Sequence, residues 1–283
     1  MSTEKIILCG FADEADPMLD GQIETLKANG ISLLEIRGVD GKSIVDVTVE
    51  EAKEIKAKLD TNGIEVWSLG SPIGKIKIDD DFDKEIARYR NLLEVGNILG
   101  ARCVRLFSFY GTDAKPEYFE TVCERLKKYV EIANEYGIVP CHENEKGIYG
   151  EKAAQCLEIH KAVPGLKAVF DPANFVQADQ NTLEAWEMLE EYVYYGHIKD
   201  ADKDKKVVPP GCGEGHIAEY LPKFVAKGCK VLTLEPHLTA FVGLADLEEE
   251  GAKSDVGSAI KFESNRAAFD YAVDSLKAII EKI

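Results

Sequence analysis

Four side chains able to ligate a metal or move a proton each close a short apolar run. Glu143 follows Ile138-Val139-Pro140-Cys141-His142, and Asp171 follows Leu166-Lys167-Ala168-Val169-Phe170. His197 follows Tyr192-Val193-Tyr194-Tyr195-Gly196, and Glu235 follows Val231-Leu232-Thr233-Leu234. Runs of this length, alternating with helical patterns, predict parallel strands. As consecutive strands of a (β/α)8 barrel they bring all four side chains to one rim, the end where such barrels carry their chemistry. Three carboxylates and an imidazole suit a divalent cation of the manganese, magnesium, cobalt or zinc kind. One such ion is expected on Glu143, Asp171, His197 and Glu235, with the wall of strands one to four left to hold a substrate.

The elements that must position these residues follow a regular alternation. Strands are expected at 5–9, 31–36, 64–69, 103–107, 138–142, 168–170, 193–197 and 231–234. Helices are expected at 20–29, 49–61, 82–99, 116–136, 151–162, 182–190, 217–227 and 263–283. Asn62-Gly63, Gly100 and Gly137 supply helix stops. Eight strand–helix pairs in 283 residues match the size of one TIM barrel. An open doubly wound sheet needs a Gly-rich turn after its first strand, and Cys9-Gly10-Phe11-Ala12-Asp13 is not one. No composition break divides the chain, which predicts one domain over 1–283. The stretch 236–262, rich in Gly, Glu and Asp, is expected to be a long loop after strand eight.

A formal net charge of −17 argues against a nucleic-acid partner, which needs clustered Lys and Arg. Seven cysteines without a C-x-x-C pair fit a reducing, cytoplasmic setting. The apolar stretch near the amino terminus reads as a first strand rather than a signal peptide. No run approaches the roughly 20 apolar residues of a membrane helix.

The motifs His142-Glu143-Asn144, Phe170-Asp171-Pro172-Ala173-Asn174, Gly196-His197-Ile198-Lys199-Asp200, Gly213-Glu214-Gly215 and Leu234-Glu235-Pro236-His237 resemble the xylose isomerase-like TIM barrel superfamily, in its sugar phosphate isomerase/epimerase branch. The resemblance runs from Ile6 to Ile283 and is more specific for fold and metal site than for reaction. It implies that Glu143, Asp171, His197 and Glu235 are the metal ligands. It also implies a small carbohydrate substrate, and a homo-oligomer by analogy with related barrels. A metal on a ketose carbonyl and its neighbouring hydroxyl acidifies the adjacent C–H. Glu143 and Glu235 are then the acid–base pair that exchanges the proton through an enediolate. The expected activity is isomerisation or epimerisation of a sugar or sugar phosphate. The alternatives are a lyase of the keto-inositol or dehydroshikimate dehydratase type, and a sugar-binding barrel without turnover.

Further residues are expected to contact substrate. Asn174 stands where the sugar epimerases of the superfamily carry a His. It can hydrogen-bond a hydroxyl but cannot become cationic, which weakens the ketose 3-epimerase reading. Lys199 and Arg105 are candidates for substrate, with salt bridges to Asp171 or Asp200 and to Glu143 as their alternative roles. Trp67 is a candidate wall for a sugar face, and His216 lies in the Gly-rich loop after strand seven. His142, by strand alternation, points away from the metal. Five histidines are too few for the cluster of an apurinic endonuclease. Two loops have phosphate-like composition, Ser71-Pro72-Ile73-Gly74-Lys75 and Gly211-Cys212-Gly213-Glu214-Gly215-His216, leaving free and phosphorylated sugars both open.

Overall fold

A computed structural model describes residues 6–242, 244 and 260–283. The sheet is a closed parallel barrel of eight strands: β1 (Ile7–Gly10), β2 (Leu33–Ile36), β3 (Glu65–Leu69), β4 (Cys103–Leu106), β5 (Val139–Glu143), β6 (Lys167–Phe170), β7 (Val193–Ile198) and β8 (Val231–Leu234). Each strand pairs with its sequence neighbours, and β8 closes on β1 with Leu8 opposite Leu232. The expected (β/α)8 architecture is therefore the observed one. The expected loop 236–262 is described only to Val242, at Leu244 and from Ile260; its remainder, like Lys5 of the expected first strand, lies outside the described residues.

Helices cover the outside: α1 (Leu19–Ala28), α2 (Val49–Thr61), α3 (Phe82–Leu99), α4 (Phe119–Tyr136), α5 (Ala153–Ala162), α6 (Pro172–Gln177), α7 (Thr182–Leu189), α8 (Ile217–Ala226) and α9 (Asn265–Ile280). Their ends follow local chemistry. Thr48 and Glu51 form a reciprocal capping box on α2. Gly100 and Gly137 end α3 and α4 in the left-handed conformation, at φ 75° and 70°. The helix expected at 116–136 opens as a 3-10 turn, Pro116–Tyr118, before α4 begins. The short α6 was not expected: Pro172 occupies its first turn and Asp171 caps it by accepting from the Asn174 N–H at 2.9 Å.

Two layers of packing set the strands. Between sheet and helices, Trp186, Phe170, Tyr220 and Phe224 form one aromatic cluster, with ring centroids 5.3–6.0 Å apart. Inside the barrel, Cys9, Cys103, Cys141, Val169, Tyr195 and Val231 make an apolar floor. β-Bulges lie between Leu34 and Glu35 against β3, and between Ala168 and Val169 against β7. The extra residues they leave on β3 and β7 are Trp67 and Tyr194, which stack on each other at 5.6 Å.

Candidate metal centre

Strand periodicity carries the apolar floor into a polar roof. Side chains alternate with period two, so two residues beyond Cys103, Cys141, Val169 and Tyr195 come Arg105, Glu143, Asp171 and His197. On β8, Thr233 lies opposite His197, and Glu235 is two residues further on. One ligand atom from each of Glu143, Asp171, His197 and Glu235 falls within 4.8 Å of all the others, and all four residues are buried.

The four are held from outside the cluster. Asp171 uses Oδ1 to cap α6, and its backbone N–H donates to Asn144 Oδ1 at 3.0 Å, while Asn144 Nδ2 donates to the Asp171 carbonyl at 2.9 Å. His197 Nδ1 faces Glu143 Oε1 at 3.0 Å and Glu235 Oε2 at 3.3 Å. Its Nε2 faces Glu35 Oε2 at 3.2 Å, and Glu35 Oε1 accepts from the Tyr195 hydroxyl at 2.7 Å and the Ser68 hydroxyl at 3.0 Å. With an ion bound, the carboxylate behind the imidazole would hold the proton on Nε2 and present the Nδ1 lone pair to the metal.

Cations surround the carboxylates. Lys199 Nζ lies 3.1 Å from Asp171 Oδ2 and 3.5 Å from Glu235 Oε2. Arg105 Nη1 lies 3.1 Å from Glu143 Oε2 and 3.5 Å from Glu235 Oε1. Asn174 Nδ2 donates to the Asn144 carbonyl at 2.9 Å and approaches Glu143 Oε1 at 3.4 Å. Lys199, Arg105 and Asn174 thus stand at the cluster. Trp67 and His216 do not join it. The Trp67 ring belongs to the barrel floor, edge-on to Tyr195 at 6.0 Å, with Tyr195 in turn against His197. The bulge on β3 put it there. His216 pairs instead with Glu219 at 2.8 Å at the start of α8. His142 points away from the cluster, its Nε2 3.0 Å from Ser108 Oγ.

The sequence reading missed a second charged group fused to the first. Arg37, directly after β2, reaches Asp13 Oδ2 at 2.8 Å, Glu14 Oε1 at 3.2 Å and Glu235 Oε1 at 2.8 Å. Its guanidinium lies 4.3 Å from the Phe11 ring centroid and 4.6 Å from that of Phe241. The His237 N–H donates to Glu14 Oε2 at 2.7 Å. Arg37 and Glu35 could have been found by the rule that selected the four ligands, since one follows and the other interrupts the apolar run Leu33-Leu34-Glu35-Ile36.

Crowded, buried like charges set the protonation energetics. Burial pushes the Asp171 carboxyl up to about 7; Lys199 opposes this, and Glu143 and Glu235 add to it. Burial also acts to raise Glu235, but Lys199, His237 and His197 outweigh it and hold the carboxylate well below its usual range. Burial alone would lower His197, yet Glu143 and Glu35 raise it well above the ordinary imidazole value. The same burial acts on Glu35, where His197 and Arg105 prevail and lower its pKa.

The residues fit a divalent ion. The donor set is three carboxylates and one imidazole nitrogen, a combination suited to borderline and hard divalent metals. Asp171 Oδ2 and Glu235 Oε2 are buried acceptors that take no hydrogen bond, although Lys199 lies close enough for charge pairing. Lys199 is shared between these two oxygens, and a divalent ion would add positive charge where three buried carboxylates converge. Glu14, Glu235 and His237 also come within reach of one another, but Arg37 already supplies the positive charge there.

A model of the xylose isomerase-like TIM barrel family matches residues 23–258, and the chain belongs to that family. Comparison with curated protein sequences gives no significant match. Solved structures match over nearly the whole chain at low identity. The IOLI protein with a bound zinc atom is 16% identical with a TM-score of 0.74, covering 98% of this chain and 99% of that one. D-psicose 3-epimerase with D-tagatose, from Clostridium cellulolyticum H10, is 16% identical with a TM-score of 0.72, covering 97% and 99%. The probable 3-DHS dehydratase AsbF of Bacillus anthracis, involved in petrobactin synthesis, is 14% identical with a TM-score of 0.71, covering 96% and 98%. A ketose epimerase and a probable dehydratase thus share this fold. Among the described residues no helix is long and apolar enough to cross a membrane.

Proposed function

We propose that the protein is a divalent-metal-dependent isomerase or epimerase of a keto sugar or related polyol, with Glu143, Asp171, His197 and Glu235 as the metal ligands. The observation that carries this reading is the convergence of those four buried side chains, from four consecutive strands, within 4.8 Å. A divalent ion held there polarises a carbonyl and acidifies the C–H beside it. Glu143 and Glu235 approach from β5 and β8, so that one removes the proton and the other returns it on the opposite face. Glu235 Oε2 has His197 Nδ1 at 3.3 Å and Lys199 Nζ at 3.5 Å, the groups that set how readily it takes the proton. Arg105 holds both glutamates in position from one side. Lys199 and Asn174 stand beside Asp171 and Glu143, where a sugar hydroxyl would meet a donor. The ligand set admits manganese, zinc, cobalt or magnesium, with manganese the first to try. Seven free cysteines, six of them buried, support a reducing cytoplasmic setting.

The test is incubation of the metal-loaded protein with a panel of ketoses and aldoses in deuterium oxide, followed by proton NMR. The expected result is loss of the C–H signal next to the carbonyl with appearance of an epimer or isomer, reduced at least about 100-fold in Glu143→Gln. Loss of water to a conjugated, ultraviolet-absorbing product would assign the site to a lyase. No exchange with any sugar or metal would remove the isomerase reading.

A further inference from the structure

The inward-facing positions of the strands continue past the ligand cluster toward the barrel mouth. Two residues beyond Glu35, Arg105, Glu143, His197 and Glu235 come Arg37, Phe107, Glu145, Lys199 and His237. A keto sugar whose reacting carbons lie at the four ligands extends the rest of its chain into this layer. Arg37 there is shared among Asp13, Glu14 and Glu235, and Lys199 between Asp171 and Glu235. The Phe107 ring is fully buried, with the Lys75 ammonium 4.5 Å from its centroid. Glu145 is placed differently. Its side chain is 14% exposed, whereas Glu143, Asp171, His197 and Glu235 are at most 2% exposed, so it stands on the solvent side of the ligands.

The Glu145 carboxylate is held in place and kept ionised. Its Oε2 accepts from Lys75 Nζ at 3.0 Å and its Oε1 from the Lys146 N–H at 2.9 Å. Two carboxylate oxygens offer about four lone-pair sites, so each can take a second donor. Burial acts to raise the Glu145 pKa, but Lys75 and then Lys199 outweigh it and lower it. The carboxylate is therefore within electrostatic reach of the lysine that touches Asp171 and Glu235. Lys75 itself leaves a fixed stretch of backbone. The N–H groups of Phe107, Phe109 and Tyr110 donate to the carbonyls of Ile73, Gly74 and Ile76 at 2.9, 3.0 and 2.9 Å, which ties the loop after β3 to the loop after β4. The Gly74 N–H donates to Glu85 Oε1 at 2.9 Å. Gly74 has φ +89°, and a Cβ there would meet the Phe107 carbonyl at 2.1 Å, so only glycine permits this approach.

We propose that Glu145 is a specificity-determining residue: positioned by Lys75, it accepts hydrogen bonds from the substrate hydroxyls farthest from the metal ligands. The proposal rests on the keto-sugar reading and adds to it the contact that distinguishes a longer sugar from a shorter one. A site built to hydrogen-bond a hydroxyl discriminates against the analogue that lacks it, and a charged acceptor makes the stronger bond.

Binding of a panel of ketohexoses and ketotetroses to the full-length, metal-loaded protein is measured by ligand-observed NMR titration, with deuterium exchange on the same sugars as a second readout. A ketotetrose keeps the carbonyl and the hydroxyls beside it but lacks those at the far end of a ketohexose. The wild type is expected to bind a ketohexose about tenfold or more tightly, the gain from hydroxyls that meet a charged acceptor. Glu145→Ala is expected to lose most of that preference, and Glu145→Gln, whose amide oxygen still accepts, to keep part of it. A pair with Lys75 that served structure alone would weaken both sugars alike when broken. An equal loss on both sugars, or an unchanged preference in a folded Glu145→Ala, would overturn the proposal. So would a wild type without the preference, which decides the matter if the variants fail to fold. Exchange in a wild type without preference would leave the keto-sugar reading standing while this contact falls. Exchange with neither sugar would remove that reading and the contact with it.

Discussion

Removing the carboxylate behind His197 should weaken metal binding without touching a ligand. Glu35 is fully buried, faces His197 Nε2 at 3.2 Å, and is itself held by Tyr195 at 2.7 Å and Ser68 at 3.0 Å. In Glu35→Ala the Nε2–H loses its acceptor, and the imidazole is free to place its proton on Nδ1, the nitrogen that faces Glu143 and Glu235. Partners of this kind are worth about 10–100-fold in metal affinity, which corresponds to roughly 1.4–2.7 kcal/mol. Glu35→Gln should cost less, near the tenfold end, because the amide oxygen can turn toward His197 while its NH2 meets the hydroxyl oxygens of Tyr195 and Ser68. The assay is competition for zinc or manganese against a chromophoric chelator, with near-ultraviolet circular dichroism confirming that each variant is folded. A folded Glu35→Ala with wild-type affinity would refute the reasoning, since Glu35 would then not be setting the His197 tautomer.

Other outcomes follow from the same packing and charges. Arg37→Met leaves Asp13, Glu14 and Glu235 without their shared partner; it should destabilise the fold by about 3–5 kcal/mol in urea unfolding, and a loss under 1 kcal/mol would contradict the pairing. Saturating zinc or manganese should raise Tm, by the equivalent of about 2.7 kcal/mol at a hundredfold excess over Kd, and Asp171→Asn should abolish the rise. His160 is buried on α5, and burial lowers its pKa from 6.5 to about 4. The folded state therefore binds its proton less readily than the unfolded chain, so stability is lost as pH falls from 6.5 toward 4. The linkage is about 3 kcal/mol, and urea unfolding across that range should lose this component in His160→Leu.

What could be read from sequence was governed by period. Parallel strands buried on both faces appear as short apolar runs, so Glu143, Asp171, His197 and Glu235 stood out as polar residues at their ends, and the alternation that hides Cys141 in the floor lifts Glu143 to the roof. The same alternation turned His142 outward. Trp67 lies against the barrel floor, beside a bulge on β3 that adds one residue and that no residue type in Glu65-Val66-Trp67-Ser68-Leu69 announces. The helix α6 was hidden because Asp171-Pro172 reads as a turn until Asp171 is seen capping it. Arg37 closes the apolar run of β2 and was open to the same rule, but its pairing with Asp13 and Glu14, in the turn Ala12–Glu14 after β1, is a contact no local spacing encodes. The glycines of residues 211–216 left anion binding undecided in the sequence; the fold shows Asp200 inside that loop.

The most direct test of the metal centre is the metal content of the full-length protein, loaded with manganese or zinc and then exhaustively dialysed, measured by elemental analysis beside His197→Ala and Asp171→Asn. The buried cluster of Glu143, Asp171, His197 and Glu235 predicts one ion per chain in the wild type and its loss in both variants. No retained ion in the wild type, or an unchanged content in both variants, would contradict a metal centre at this site.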